Sequence, residues 1–252
     1  MKSKYFYAKI YGDRAMITSP ESKSGGEKQS YGIPTREMIK GILDANYFKP
    51  VLKNVVDEIR IMKKIESHSQ GTRLLLSNYK SDLSSYNYLT NVCYYVKYHF
   101  EWNEYRDDLK NDRNIKKHEA ITERSLKRGG RRSIFLGVSE CIGYIDILSK
   151  DEYERDEGYY DHTNLSFGIM FNSFIYPNKE GEPLKSTYSS ISMINGRIKY
   201  PTDDDCSIVN VVPDYTFKKP LLSKTVDQEL EGYWKEVVWV FLRLCLSHTI
   251  MV

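Results

Sequence analysis

Cysteine is scarce and unpatterned in this chain. Cys93, Cys141, Cys206 and Cys245 are spread over 252 residues, and no two stand in a CxxC pair. Neither a zinc ribbon nor a dithiol redox site is indicated, and free thiols in a reducing cytoplasm are expected. The five histidines (His68, His99, His118, His162, His248) show no HxxxH or HxH spacing, and the acids form no metal signature, so no metal or other cofactor is expected. A GxSxG elbow, a P-loop and a GxGxxG turn are all missing, which leaves serine hydrolysis, nucleotide hydrolysis and dinucleotide chemistry without support. Long apolar runs are missing too. The C-terminal stretch Val237–Val252 is broken by Arg243, Ser247 and His248. It reads as a packed terminal helix rather than a membrane span. The opening MKSKYFYAKIYGDR has no apolar core of the signal-peptide kind, so a cytoplasmic protein with no membrane partner is expected.

What is present is tyrosine and a local excess of positive charge. There are 21 Tyr against 9 Phe, a bias that suits strands, interfaces and nucleobase contacts. Net charge is only +3, yet Lys110–Arg132 holds nine basic residues against three acids (Asp112, Glu119, Glu123), leaving the rest slightly acidic. A positive patch on a near-neutral protein fits a polyanion docked at one place, although a charge run alone is more often a solvated helix face.

Periodicity orders the first 150 residues as strand, helix, strand, strand, helix, strand. Residues 4–18 alternate as a strand. A polar loop containing Gly25-Gly26 follows. Thr35 caps a helix with an apolar stripe of Met38, Ile39, Ile42 and Leu43, closed by Pro50. Residues 58–66 and 91–102 read as strands, 113–128 as a helix stopped by Gly129-Gly130, and 139–148 as a fourth strand. This is the α+β, ferredoxin-like βαββαβ order, with both helices on one face of an antiparallel sheet and the other face free, as in RRM-type RNA binders. An acidic, loop-like segment (151–161) follows. A small antiparallel β-rich domain is expected over 151–220, with an Asn195-Gly196 hairpin turn. Residues 221–252 form a tail, expected to be helical over 225–250 with Trp234, Val238, Phe241 and Leu242 buried.

The chemistry-bearing stretch is Asn114-Ile115-Lys116-Lys117-His118 and the following Arg124–Arg132. Metal-free RNA cleavage needs no protein nucleophile, because the ribose 2′-OH attacks. It needs an acid or base that titrates near neutrality, which histidine supplies, and a cation on the phosphorane, which lysine supplies. The Gly-Gly pair would let backbone N–H groups approach phosphate. Alone, a Lys-His pair on a surface helix does not separate a catalyst from a bystander.

Longer blocks carry a family resemblance. GGEKQSYGIPTREMIKGILDANYFKP (25–50), YLTNVCYYVKYHFEWN (88–103) and DRNIKKHEAITERSLKRGGRRSIFLGVSEC (112–141) resemble signatures of the CRISPR-associated Cas family five of subtype I-C (Dvulg), in the same order. The resemblance runs from about residue 5 to about 215. It implies a RAMP-type, ferredoxin-like domain with a smaller β domain, and a metal-independent endoribonuclease that cuts CRISPR repeat hairpins in precursor crRNA. It also implies that the protein stays on the 5′ handle of the mature crRNA with the other subunits of a type I-C surveillance complex; duplex DNA binding stays open. By motif position the catalytic trio is Tyr47, Lys117 and His118, with His118 as acid or base, Lys117 on the phosphorane and Tyr47 positioning or helping to deprotonate the 2′-OH. The expected RNA contacts are Arg113, Lys116, Arg124, Lys127, Arg128, Gly129, Gly130, Arg131 and Arg132. The alternatives are a non-catalytic, handle-gripping subunit of the same complex, an RRM-like adaptor, and a metal-dependent nuclease.

Overall fold

The computed structural model describes residues 1–22, 27–75, 79–213, 215–218 and 230. The Gly25-Gly26 loop and the expected 225–250 helix lie outside them.

The chain folds around one curled, mostly antiparallel sheet. Its strands are β1 (Phe6–Ala15), β2 (Glu27–Gln29), β3 (Leu52–Ile61), β4 (Ser67–Leu75), β5 (Ser81–Trp102), β6 (Ile134–Phe135), β7 (Ile142–Leu148), β8 (Leu165–Ile175), β9 (Leu184–Ile194), β10 (Arg197–Lys199) and β11 (Ile208–Val212). Two helices, α1 (Arg36–Asn46) and α2 (Ile115–Lys127), follow β1 and β5, and a short α3 (Lys150–Arg155) follows β7. The main path through the sheet is β11-β9-β10-β3-β5-β1-β7-β6.

β5 is the spine. Its alternation sends Tyr94, Val96, Tyr98 and Phe100 into the main core, with Ala8 and Ile10 of β1 and Ile145 of β7 beside them. Leu43 and Ile39 of α1 and Leu126 of α2 complete that core. Thr35 caps α1 as its sequence indicates, accepting the Met38 N–H at 3.2 Å. The strand expected at 58–66 begins earlier, at Leu52. A bulge between Val56 and Glu58 breaks its alternation and hides its first half from a period-two reading. The strand expected at 91–102 begins at Ser81, where it forms a long hairpin with β4.

Two further corrections concern the sheet's second face and the region after residue 150. The second face is not free along its length, because α3 covers its middle. Tyr153 is fully buried there against Cys93, Tyr95 and Tyr7. Arg60 of β3 donates to the Tyr153 and Asp156 carbonyls and pairs with Asp161 at 3.0 Å, while the Tyr153 hydroxyl donates to Glu58 at 2.9 Å. Burial works against the Asp161 carboxylate, but the Gly158 N–H and Arg60 hold it below the ordinary range. The acidic segment is thus a capped helix and its docking loop. β10 pairs with β3, the strands of 165–212 continue the same sheet, and Met1–Tyr215 form one compact unit. The Asn195-Gly196 turn joins β9 to β10 with both residues at positive φ, +49° and +70°, as a type I′ turn requires.

The loop after β6 closes on the end of β1. The Met16 N–H donates to the Leu136 carbonyl at 2.9 Å, and Gly137 follows at φ +98°. A Cβ on Gly137 would stand 1.9 Å from the Met16 carbonyl oxygen, so a methyl group there forces the two segments apart. Gly137→Ala should destabilise the fold by at least about 2 kcal/mol, combining the left-handed strain with the clash. The check is the urea midpoint, and an unchanged midpoint would show that the loop does not make this approach.

Candidate active site

Tyr47, Lys117 and His118 come from two helix ends. Tyr47 caps the C-terminus of α1 in an extended conformation (φ −152°, ψ 117°), its N–H donating to the Leu43 carbonyl at 2.9 Å. His118 lies in the first turn of α2, whose N-cap Asn114 accepts the Lys117 N–H at 3.2 Å. The helix ends also meet through the Ser125 hydroxyl, which donates to the Asn46 carbonyl at 2.6 Å.

The Tyr47 hydroxyl and His118 Nδ1 are 2.8 Å apart. On the other side of the ring, Nε2 lies 2.8 Å from the Asp112 carbonyl oxygen. A carbonyl only accepts, so Nε2 carries the proton. In the neutral ring Nδ1 is then the acceptor, and Tyr47 donates to it. Aromatic rings enclose the imidazole, with Trp102 at 5.8 Å and Phe100 at 6.4 Å between centroids. His118 is 0% exposed and Tyr47 only 3%. Burial raises the Tyr47 hydroxyl above its ordinary pKa; the guanidinium of Arg131, 5.0 Å over the ring, opposes that shift. Lys117, by contrast, keeps about half its side chain in solvent, 49%, and is ion-paired with Asp112. That contact holds the Asp112 carboxyl below the usual range. Asp112 therefore touches both members of the Lys-His pair. In the sequence it stands out only as an acid within the patch, and its spacing of five residues before Lys117 is the signal available there.

The expected RNA contacts divide. Arg124, Arg128 and Arg131 converge with Ser125 and Gly130 around a cavity of about 280 Å³. Lys116, Lys127 and Arg132 are exposed. Arg113 is turned inward, 20% exposed, donating to the Asn103 carbonyl at 3.1 Å and facing Asp107 at 3.6 Å. Gly129 and Gly130 are not phosphate donors in this conformation. Their N–H groups close α2, to the Leu126 carbonyl at 3.0 Å and the Ser125 carbonyl at 2.9 Å. This is the paired bonding of a Schellman cap, which places Gly129 at φ +76°. The acids within the patch are also engaged. Lys4 pairs with Glu123, and its N–H donates to Glu119 at 2.9 Å, so the arginine cluster is not cancelled by them. Phe48, next to Tyr47, is 52% exposed, leaving an unexpected aromatic ring at the rim.

The family Cas_Cas5d, described as CRISPR-associated protein (Cas_Cas5), matches residues 6–201. The chain belongs to this family. A curated relative, the CRISPR pre-crRNA endoribonuclease Cas5d of Mannheimia succiniciproducens, is 40% identical over 60 residues. That match spans 24% of this chain and about a quarter (26%) of the relative. Two solved structures of similar sequence share the fold at much greater length. A functionally uncharacterized protein of Streptococcus mutans is 43% identical with a TM-score of 0.69, and a CRISPR-associated protein is 41% identical with a TM-score of 0.70. Each alignment covers 83% of this chain and 98% of the other. Among the described residues, no helix is long and apolar enough to cross a membrane.

The buried Tyr47–His118 bond makes a prediction about stability. Tyr47→Phe leaves Nδ1 without its donor in an apolar enclosure, which should lower stability by about 1–3 kcal/mol. Tyr47→Phe with His118→Leu removes both partners and should recover part of that loss. Urea unfolding of the three proteins measures this coupling, and additive losses would contradict it.

Proposed function

We propose that this chain cuts CRISPR repeat hairpins in precursor crRNA by attack of a ribose 2′-OH, without a metal, using Tyr47, Lys117 and His118. It then holds the 5′ handle of the product within a type I-C surveillance complex. One observation carries the reading: residues 71 positions apart in sequence, Tyr47 and His118, share a 2.8 Å hydrogen bond beside a half-exposed lysine and a cluster of arginines. The Mannheimia relative, a CRISPR pre-crRNA endoribonuclease, points the same way. So does the sheet, whose β3-β5-β1-β7 order, with α1 after β1 and α2 after β5, we read as ferredoxin-like, a framework that RNA-binding domains reuse.

The geometry favours a relay. RNA that draws Arg131 onto a phosphate uncovers the Tyr47 ring, and a second phosphate oxygen takes Lys117 from Asp112. The Tyr47 oxygen then accepts the proton of the attacking 2′-OH while its own proton passes to His118 Nδ1. A tyrosine whose pKa is raised by burial is a poor free base, but in this relay it never has to exist as phenolate. The Lys117 ammonium stabilises the phosphorane charge as the 5′-oxygen leaves; that oxygen takes a proton from solvent to become the 5′-OH, and His118 later returns its extra proton to solvent. Asp112 holds Lys117 in the free protein and, through its carbonyl, keeps the histidine in the Nε2–H tautomer.

The burial of Tyr47 and His118 favours a second reading, a subunit that grips the handle without cutting it. Incubation with repeat RNA in excess EDTA separates the two. The first reading expects one cut, leaving a 2′,3′-cyclic phosphate and a 5′-OH. It expects none on RNA with 2′-deoxyribose before the scissile phosphate, although that RNA binds normally. His118→Ala should slow the cut by about 10²–10⁴-fold with binding retained. Binding without cutting by the unaltered protein supports the gripping subunit. Cleavage that needs added metal overturns the metal-free chemistry.

A further inference from the structure

A second cavity, outside the trio and the arginine cluster, opens beside them between α1 and the strand that follows the Gly-Gly-Arg-Arg loop. Its volume is about 390 Å³. Met16, Ile17, Met38, Ile42 and Ile134 give it apolar walls, and Thr18 and Ser133 bring hydroxyls to it. Phe135 lines it while 42% exposed, so an aromatic ring stands at its rim.

Its place in the fold ties it to the trio. Ala45, which lines it, precedes Tyr47 by two residues. Ser133, on the opposite wall, follows Arg131 by two residues, and Arg131 lies over the Tyr47 ring. Two residues span at most about 7 Å of backbone. The cavity therefore begins within about one nucleotide's reach of the site, with the exposed Arg131 and Arg132 at its side. Apolar walls, one ring for stacking, two hydroxyls for base-edge hydrogen bonds and an adjoining cationic loop are the chemistry of an unpaired nucleobase attached to its phosphate. A lipid or apolar peptide would use the walls but not the arginines.

A further observation is Gly41. Glycine in mid-helix is unfavourable relative to alanine. Here no atom beyond its chain neighbours and the adjoining helix backbone lies within 4 Å of where its Cβ would stand, so packing does not require it. The position lines the cavity and is exposed. A side chain at residue 41 would enter the open space and little else.

We infer that this cavity binds one unpaired base of the repeat RNA next to the scissile phosphate and so sets the position of the cut. This rests on the RNA-cleaving reading above. The base leaves its stack, lies against Phe135 and presents its edge to Thr18 and Ser133, while Arg131 and Arg132 hold the flanking phosphates. The pocket selects the base and the trio cuts beside it.

The test uses the full chain and a set of repeat RNAs, each carrying one abasic nucleotide. For the unaltered protein, one abasic position flanking the cut should weaken binding about tenfold, the weight of one stacked base. Gly41→Leu fills the cavity. It should bind intact RNA about tenfold more weakly and lose the distinction between intact RNA and that one abasic RNA, with its melting temperature unchanged or raised because leucine is the better helix residue. Phe135→Ala, on an exposed side chain, should reproduce the loss in part. If Gly41→Leu melts normally and keeps both the affinity and the abasic pattern of the unaltered protein, the pocket assignment is overturned while the RNA reading stands. If the unaltered protein binds no repeat RNA, both are overturned.

Discussion

The contact between the end of α1 and the buried face of α2 is the constraint on which the site depends. Two bonds make it, the Tyr47 hydroxyl to His118 near the start of α2 and the Ser125 hydroxyl near its end to the Asn46 carbonyl, and a third, from His118 Nε2 to the Asp112 carbonyl, fixes the ring between them. Each removes a buried polar group from an otherwise apolar enclosure, so the helices cannot slide without stranding one of them. Holding α2 in this register also brings Arg124 on the helix and Arg128 and Arg131 just after it to one cavity. The same contacts thus fix the core and align the charge.

Electrostatics in the patch are arranged by partner choice rather than by count. Asp112, Glu119 and Glu123 would cancel a third of the charge of the basic run if they faced it. Lys4, arriving from the start of the chain, engages the two glutamates, and Asp112 is committed to Lys117. The acidic segment after β7 does not reach the arginines; its Asp161 and Glu154 serve Arg60 and Arg197. The patch thus keeps guanidinium groups around its cavity and one ammonium held by a carboxylate.

Much of the fold was legible because its signals are local. Thr35, the Asn195-Gly196 turn and the alternation of residues 91–102 act over a few residues, and each marked its element. What was hidden depended on context. The bulge after Val56 displaced the start of β3. The acidic composition of 151–161 obscured α3, although Ser149 and Glu152 form a capping box three residues apart, a signal present in the sequence. β10 pairing with β3 joins segments about 140 residues apart, and no local pattern announces it. In the candidate site, the family signatures pointed to Tyr47 and His118, which the structure brings within hydrogen-bond distance. The burial of the histidine, the inward turn of Arg113 and the use of both glycine N–H groups in the helix cap are consequences of packing, which spacing alone does not carry.

The central position of β1 has a consequence for synthesis. It lies between β5 and β7, and its hydrogen-bonding partners run from Leu89 to Tyr98 on one side and Tyr144 to Leu148 on the other. A nascent chain therefore emerges with its first strand unpaired on both edges. At roughly 5–20 residues per second, the second partner arrives on the order of ten seconds later. During that interval Phe6-Tyr7-Ala8-Lys9-Ile10-Tyr11 is a short, β-prone segment with both edges open, the kind that pairs with other chains. Lys9 places a charge in its middle, and Lys2 and Lys4 place two more just ahead of it. These lysines guard the strand on the ribosome before any of them has a folded partner.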